Sequence, residues 1–273
     1  IVGPIKARRV AALATQSDIC VSVDAIENVR ELDEAALRLG TRPRAVIEVD
    51  TGMERAGVAP GDEARRLAEQ MAKCEGLRFA GVMTWEGHCW AIEDPDKRLA
   101  EIQRAVGSLV ETAEQIRADG IPVDVVSAGG TATYLTTSGV SGVTEIQAGG
   151  GIFGDIEYLQ QGANVQRALS LMCQVTSRPT PNRIITDAGR KTIDPGNRQP
   201  EPRGLALDGP IAFSAEHGIL TLAEPAADPR PGDRIFFNVG YSDQCNHLHE
   251  NFYGVRNGIV ETIWPILGRG KLQ

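Results

Sequence analysis

Two short glycine-rich segments contain the residue types best suited to binding a phosphate. The first is Val126–Tyr134 (VSAGGTATY) and the second is Thr144–Gly151 (TEIQAGGG). Each continues a short apolar run, which predicts a loop directly after a β-strand. Glycine lets backbone N–H groups approach an anion, and threonine can donate a hydroxyl hydrogen bond. We expect the two loops to form one phosphate cradle, lined by Gly129, Gly130, Thr131, Gln147, Ala148, Gly149 and Gly150.

Two further segments have the same form, an apolar run that ends in polar or aromatic residues. Residues 45–58 (AVIEVDTGMERAGV) place Arg55 shortly after a predicted strand, and residues 79–88 (FAGVMTWEGH) end in Trp85 and His88. Together with the glycine loops, these segments resemble the barrel strands of the fold-type III pyridoxal-phosphate enzymes. Within that superfamily, the chain is more similar to the D-threonine aldolase and D-serine dehydratase branch than to alanine racemase itself.

The resemblance covers nearly the whole chain, and it implies roles for particular residues. It continues through residues 187–191 (DAGRK), 216–218 (EHG) and 255–265 (VRNGIVETIWP). It implies that Arg55 reaches the ring of pyridoxal 5'-phosphate, that Trp85 also binds this cofactor, and that the chain forms a homodimer. His88 directly follows a predicted barrel strand, where such folds keep their active sites, so it is our candidate for the catalytic base or a substrate contact.

The lysine that holds the cofactor in this family has no counterpart in the sequence. The resemblance implies a Schiff-base lysine on the first barrel strand, within a motif similar to His-x-Lys. The chain has five lysines, and none matches that motif: Lys6, Lys73, Lys97, Lys191 and Lys271. We therefore expect the sequence to be the later portion of a longer protein. A degenerate homologue is the alternative.

A second candidate site lies near the C-terminus. The resemblance implies a divalent metal held by a His-x-Asp or His-x-Cys pair, and the matching residues here are Tyr241 and Asp243, so tyrosine replaces the histidine. Asp243, Cys245, His247 and His249 nevertheless alternate along the chain and would share one face of an extended segment. We predict a shifted site for Mn, Mg or Zn, with Asp243, Cys245 and His247 as ligands. A solvated polar strand end is the alternative.

The elements that position these residues alternate between strand and helix as far as about residue 160. Helices are predicted over 26–39, 61–74 and 96–119, and strands over 19–23, 45–50, 79–84, 123–127 and 144–147. This order predicts residues 1–163 to be part of a (β/α)8 TIM-type barrel. Residues 164–273 predict an antiparallel β domain, with Asn257-Gly258 as a type I′ hairpin turn.

Composition excludes several classes of function. The chain has 273 residues, a net charge of −8 and no predicted helix with a basic face, which argues against nucleic-acid binding. Charge or glycine interrupts every apolar run well before the roughly 20 residues that a membrane span needs. The five cysteines form no CxxC pair, which indicates a reduced, cytoplasmic setting.

These observations lead to a functional hypothesis. We expect a pyridoxal-phosphate lyase that acts on a small 3-hydroxy D-amino acid, with metal-assisted retro-aldol cleavage to glycine and an aldehyde. Dehydration of a D-serine or 3-hydroxyaspartate type of substrate remains open, because the residues do not decide which bond breaks. A non-catalytic pyridoxal-phosphate carrier and a racemase are further alternatives.

Overall fold

The computed structural model describes residues 1–271. The chain forms two compact units, of which the first is Ile1–Gly149 and the second begins at Gly150. The domain boundary proposed from the sequence, between residues 163 and 164, lies further along the chain, beyond the first helix of the second unit.

A five-stranded parallel sheet forms the centre of the first unit. Its strands lie side by side in chain order, which agrees with the predicted alternation of strand and helix. They are β1 (Cys20–Val23), β2 (Arg44–Glu48), β3 (Arg78–Met83), β4 (Val125–Ala128) and β5 (Glu145–Ile146). Because the strands are parallel, the loops after β2, β3, β4 and β5 leave the same edge of the sheet.

Helices connect these strands and cover the sheet. They are α1 (Pro4–Leu13), α2 (Ile26–Leu39), α3 (Asp62–Met71), α4 (Pro95–Ala118), α5 (Tyr134–Thr137) and a 3-10 helix at Gly87–Ala91. The start of α4 is fixed by Asp94, whose carboxylate accepts the backbone N–H groups of Asp96 and Lys97. The apolar face of α4 is buried against the sheet through Ile102, Val106 and Leu109. This packing therefore holds the polar residues of α4, among them Glu101 and Arg104, in a fixed position.

The second unit is mainly antiparallel. A six-stranded sheet has the order β8-β11-β6-β7-β10-β9, and β12 pairs with β13 separately. The strands are β6 (Ser170–Thr180), β7 (Arg183–Thr186), β8 (Glu201–Pro202), β9 (Ala212–Phe213), β10 (Gly218–Thr221), β11 (Arg234–Asn238), β12 (Asn251–Arg256) and β13 (Ile259–Pro265). The helices are α6 (Ile156–Gln160), α7 (Arg190–Ile193) and α8 (Ser242–Asn246), and a 3-10 helix spans Gly149–Ile152.

The hairpin predicted from Asn257-Gly258 is confirmed. Both residues have positive φ, 51° at Asn257 and 78° at Gly258, as a type I′ turn requires. The turn joins β12 to β13 in antiparallel register.

Two expectations from composition can be compared with the structure. Among residues 1–271, no helix combines the length and the apolar character that a membrane crossing requires. All five cysteines have free thiols.

Candidate active site

Arg55 and Trp85 meet beyond the ends of β2 and β3. The guanidinium carbon of Arg55 lies 4.9 Å from the centre of a Trp85 ring, which is cation–π geometry. Gly130, in the loop after β4, packs directly against the indole, because a Cβ at this position would lie 2.7 Å from Trp85 Nε1. The structure thus brings together Arg55, Trp85 and Gly130, three of the residues proposed from sequence to bind the cofactor.

His88 is held by a carboxylate on α4. It lies in the 3-10 helix after β3, and its Nε2 is 2.9 Å from Glu101 Oε1. Arg104 donates to the same carboxylate, with Nε 2.8 Å from Oε2, and its Nη2 also donates to the Thr51 carbonyl at 2.7 Å. The Arg104 side chain therefore ties the loop after β2 to the carboxylate that holds His88.

These contacts determine the charge on Glu101. Hydrogen bonds from Arg104, and to a smaller extent from His88, lower the pKa of Glu101 to about 2 despite its partial burial. The carboxylate is therefore ionised at neutral pH and can only accept hydrogen bonds.

The ionised Glu101 also fixes the tautomer of His88. Because the carboxylate is only an acceptor, Nε2 carries the proton of the hydrogen bond and Nδ1 carries the lone pair. Nδ1 is buried and has no hydrogen-bond partner among residues 1–271. The neighbouring Cys89 does not compete as a base, because burial raises the pKa of its thiol to about 12. In the neutral form of His88, the nitrogen that can accept a proton is therefore Nδ1.

Glu86 holds the first glycine loop in place through hydrogen bonds to its side chain. Its carboxylate is fully buried and accepts hydrogen bonds from the Gly129 amide at 3.1 Å, the Thr133 hydroxyl at 2.7 Å and the Thr137 hydroxyl at 2.6 Å. The Gly130 amide donates to the Thr133 hydroxyl at 3.0 Å. The Gly129 and Gly130 amides therefore shape the loop itself, and the proposal that these two glycines bind a phosphate has no support from their N–H groups.

Other groups in the two loops remain suited to an anion. Thr131 follows Gly130 and is buried, and a Cβ at Gly149 would find open space within 4 Å. Gln147 is fixed at both its backbone and its side chain. Its amide N–H donates to the Gly129 carbonyl at 3.0 Å, and its side-chain Nε2 donates to Ser127 Oγ at 2.8 Å. Gln147 therefore joins the second loop to the first, and Ala148 and Gly149 follow this junction.

Gly150 has a local structural role in the second unit. A Cβ there would lie 2.3 Å from a ring atom of Tyr158, so the tyrosine packs directly on the glycine backbone. This contact gives a packing reason for one of the glycines proposed to surround the phosphate.

Three residues of this site were missed in the sequence: Glu86, Glu101 and Arg104. The sequence indicated the role of Glu86, because a carboxylate directly after an apolar strand and beside a tryptophan must be paired when it is buried. It did not indicate the roles of Glu101 and Arg104, since their i,i+3 spacing on a helix is typical of an ordinary surface ion pair.

The proposed metal ligands do not form a metal site. Asp243 and Cys245 lie on α8 and His247 directly follows it, so the expected extended segment with one shared ligand face is wrong. His247 Nδ1 lies 3.2 Å from the Asp243 carbonyl, and the Cys245 thiol points to the Thr192 carbonyl. In the described part of the chain, no group of three His, Cys, Asp or Glu side chains is arranged to hold a metal ion. The residues present therefore do not fit the metal that the resemblance implies.

None of the five lysines belongs to the loops after β2 to β5. Lys6 is an exposed residue of α1, and Lys73 and Lys97 are exposed beside or within helices. Lys191 pairs with Glu216, and Lys271 is exposed near the end of the chain.

Comparison with known proteins gives two family matches. Residues 1–157 match the family described as alanine racemase, N-terminal domain, and residues 168–255 match the putative serine dehydratase domain.

Individual relatives match along almost the whole chain. A D-threonine aldolase from Arthrobacter sp. is 31% identical, covering 99% of this chain and 72% of the relative. A 3-hydroxy-D-aspartate aldolase from Paracoccus denitrificans is 29% identical, covering 98% of this chain and 71% of the relative. The crystal structure of D-threonine aldolase from Filomicrobium marinum superposes with a TM-score of 0.93 at 31% identity, covering all of this chain and 75% of that one.

Proposed function

The chain belongs to the alanine racemase N-terminal domain family, in the D-threonine aldolase and D-serine dehydratase-like branch of fold-type III lyases, and we propose that it cleaves 3-hydroxy D-amino acids by a retro-aldol reaction. The products would be glycine and an aldehyde. The observation that carries this proposal is the His88–Glu101 pair, because it places an imidazole ring held by an ionised carboxylate beyond the C-terminal edge of the sheet.

Pyridoxal 5'-phosphate is the cofactor that this family implies, and residues of the first unit suit it. When bound, it takes up the electron pair that a broken bond leaves on the substrate α-carbon. We assign the phosphate to Thr131, Ala148 and Gly149, and the ring to Arg55 and Trp85. Open space beside Gly149 and the guanidinium held over Trp85 support this assignment.

His88 would begin the cleavage. The His88 imidazole removes the proton of the substrate 3-hydroxyl, and the oxygen electrons form the C=O bond of the aldehyde as the bond between the α- and β-carbons breaks. A proton from solvent then adds to the α-carbon to complete glycine, and His88 returns the proton it took up to solvent. Glu101 acts through His88, because its carboxylate accepts the Nε2–H hydrogen bond and stabilises the imidazolium that forms.

Dehydration is the second candidate, because residues 168–255 match the putative serine dehydratase domain. Loss of the 3-hydroxyl as water requires an acid at that oxygen. His88 presents a lone pair at Nδ1 in the tautomer that Glu101 selects, so proton removal is favoured over proton donation. This preference supports aldol cleavage as the main reaction.

The non-catalytic and racemase alternatives have less support. The aldolase relatives align with 98% or more of this chain, including the second unit. A carrier similar to the barrel alone would need no second unit.

Product analysis tests the reaction. The natively isolated protein would be incubated with D-threonine, D-3-hydroxyaspartate and D-serine, and glycine, aldehyde, ammonia and 2-oxo acid would be quantified. Glycine and aldehyde are expected in equal amounts. His88→Asn should lower their rate by about two to four orders of magnitude. The matched control His217→Asn changes an exposed histidine of the second unit and should leave the rate unchanged.

Borohydride reduction followed by peptide mass spectrometry tests the cofactor. We expect the natively isolated protein to carry a pyridoxyl adduct on a lysine. An adduct on Lys6 or Lys191, or no adduct on any lysine, would overturn the proposed site.

Assembly and location also belong to the proposal. We infer a homodimer from the family, and light scattering of the natively isolated protein at micromolar concentration measures it directly. We infer a cytoplasmic setting from five free thiols without a CxxC pair, and fractionation of the source cells checks it.

A further inference from the structure

The segment that departs most clearly from the family pattern lies between β11 and β12 in the second unit. The resemblance implies a His-x-Asp or His-x-Cys metal pair there, and this chain has Tyr241-Ser-Asp243 instead. We call residues 241–249 the tyrosine segment. It holds every residue that was proposed from the sequence as a metal ligand.

Tyr241 is hydrogen-bonded to the Asp243 carboxylate, which a cation at this position would need as a ligand. Its phenol oxygen donates a hydrogen bond to Asp243 Oδ2 at 2.9 Å. The Tyr158 ring packs edge-on against the Tyr241 ring, with 5.9 Å between their centres. Buried Asp155 joins the two helices involved, since one oxygen accepts the Tyr158 amide at 2.9 Å and the other accepts the Ser242 amide at 2.7 Å. The Tyr241–Asp243 hydrogen bond is therefore part of a packed arrangement.

The remaining candidate ligands are occupied as well. The Cys245 thiol is buried and lies 3.8 Å from the Thr192 carbonyl. His249 Nε2 lies 2.7 Å from the same carbonyl, and His247 Nδ1 contacts the Asp243 carbonyl. Each of these three side chains therefore contacts a backbone carbonyl of the protein.

We propose that the tyrosine segment binds no divalent cation, and that the Tyr241 phenol replaces the cation on Asp243. If the chain is the lyase proposed above, this inference has a consequence for activity, since the enzyme then works without a metal ion; in this respect the inference rests on the proposed function. Removal of the 3-hydroxyl proton then depends on His88, without a Lewis acid to make that hydroxyl more acidic.

Metal binding tests the inference without reference to activity. The full natively isolated chain and its Tyr241→His variant would be dialysed against EDTA and then titrated with Mn²⁺ by calorimetry. We expect no binding by the wild type at micromolar Mn²⁺. Tyr241→His restores a His-x-Asp pair and is expected to bind about one ion per chain. Tyr253→His is the matched control, since it adds a histidine at an exposed tyrosine of β12 and should bind none.

The outcomes separate this inference from the proposed function. Wild-type protein that binds about one Mn²⁺ per chain and loses it on Asp243→Asn substitution would overturn the inference, whatever the activity. A folded Tyr241→His variant that gains no Mn²⁺ would overturn the assignment of metal exclusion to Tyr241. Metal-free wild type that cleaves no 3-hydroxy D-amino acid would overturn the proposed function alone. Cleavage that persists in EDTA supports both.

Discussion

Glu101 holds His88 in one tautomer. The 2.9 Å contact between His88 Nε2 and Glu101 Oε1 joins the loop after β3 to α4, and Arg104 keeps the carboxylate ionised. This hydrogen bond determines which nitrogen of neutral His88 carries the proton, so we propose that Glu101, a residue of α4, positions the candidate base.

Glu101→Gln tests this positioning role. The neutral amide can donate as well as accept, so the tautomer is no longer fixed and kcat for aldol cleavage should fall roughly 10- to 100-fold. KM should change little, because Glu101 acts through His88. Steady-state kinetics across pH would measure both constants and the basic group in the profile. Glu114→Gln is a matched control on the same helix, where Glu114 pairs with Arg117 on the surface. Equal losses in the two variants would contradict the positioning role.

Stability should depend on pH through the same carboxylate. The folded-state pKa of Glu101 is about 2, below its ordinary value of 4.5, so ionised Glu101 stabilises the fold above about pH 4.5 and this contribution disappears as pH falls toward 2. Urea unfolding should therefore show wild type more stable than Glu101→Gln at pH 6, with the difference shrinking between pH 4.5 and 2. A difference that stays constant over that interval would contradict the assignment.

Removing the Arg104 guanidinium should narrow this pH window. Arg104→Met deletes the largest influence that lowers the pKa of Glu101, so the stability loss below about pH 4.5 should be smaller and should end at a higher pH than in wild type. Arg117→Met is the control, because it breaks the Glu114 pair on the same helix and leaves Glu101 untouched. The same urea series measures both variants, and an unchanged window in Arg104→Met would show that another group sets the pKa of Glu101.

Because Thr137 is hydrogen-bonded to the buried Glu86 and Thr136 is not, valine substitutions at these two residues should reduce stability by different amounts. Thr137→Val removes a 2.6 Å hydrogen bond to a fully buried carboxylate and should lower the free energy of unfolding by about 1.5–3 kcal/mol. Thr136→Val, in the same short helix and without a contact to Glu86, should cost well under about 1 kcal/mol. Chemical denaturation at pH 7 measures both. Similar losses would mean that the network does not stabilise the loop.

Gly130→Ala should weaken cofactor binding. A Cβ at Gly130 would lie 2.7 Å from Trp85 Nε1, so the indole must move away from the Arg55 guanidinium. We expect the Kd for pyridoxal phosphate, measured by absorbance titration, to rise roughly tenfold. Gly107→Ala is the control, since a Cβ there meets nothing within 4 Å and lies in the middle of α4. Unchanged affinity in Gly130→Ala would contradict the assignment of Trp85 to the cofactor.

The sequence predicted those parts of the fold whose signals are local. Parallel strands β2 to β5 were recognisable from apolar runs between helical patterns, and the β12–β13 hairpin from Asn257-Gly258. The position of Arg55, Trp85 and His88 in the loops after β2 and β3 was predicted for the same reason.

What could not be predicted depends on contacts between distant segments. Alternating polar residues after Tyr241 predicted an extended strand, whereas the carboxylate of Asp155, far away in sequence, accepts the Ser242 amide at the first residue of α8. This contact supplies the helix cap, and no residue within the tyrosine segment indicates it. Likewise, the surface-type spacing of Glu101 and Arg104 gave no sign that one contacts His88 and the other the Thr51 carbonyl.

Product analysis with D-threonine and D-3-hydroxyaspartate tests the central claim most directly. The account predicts that the natively isolated protein releases glycine and the matching aldehyde in equal amounts, that EDTA leaves the rate unchanged, and that His88→Asn lowers it by orders of magnitude. Release of ammonia and a 2-oxo acid without glycine would contradict aldol cleavage and identify the protein as a dehydratase.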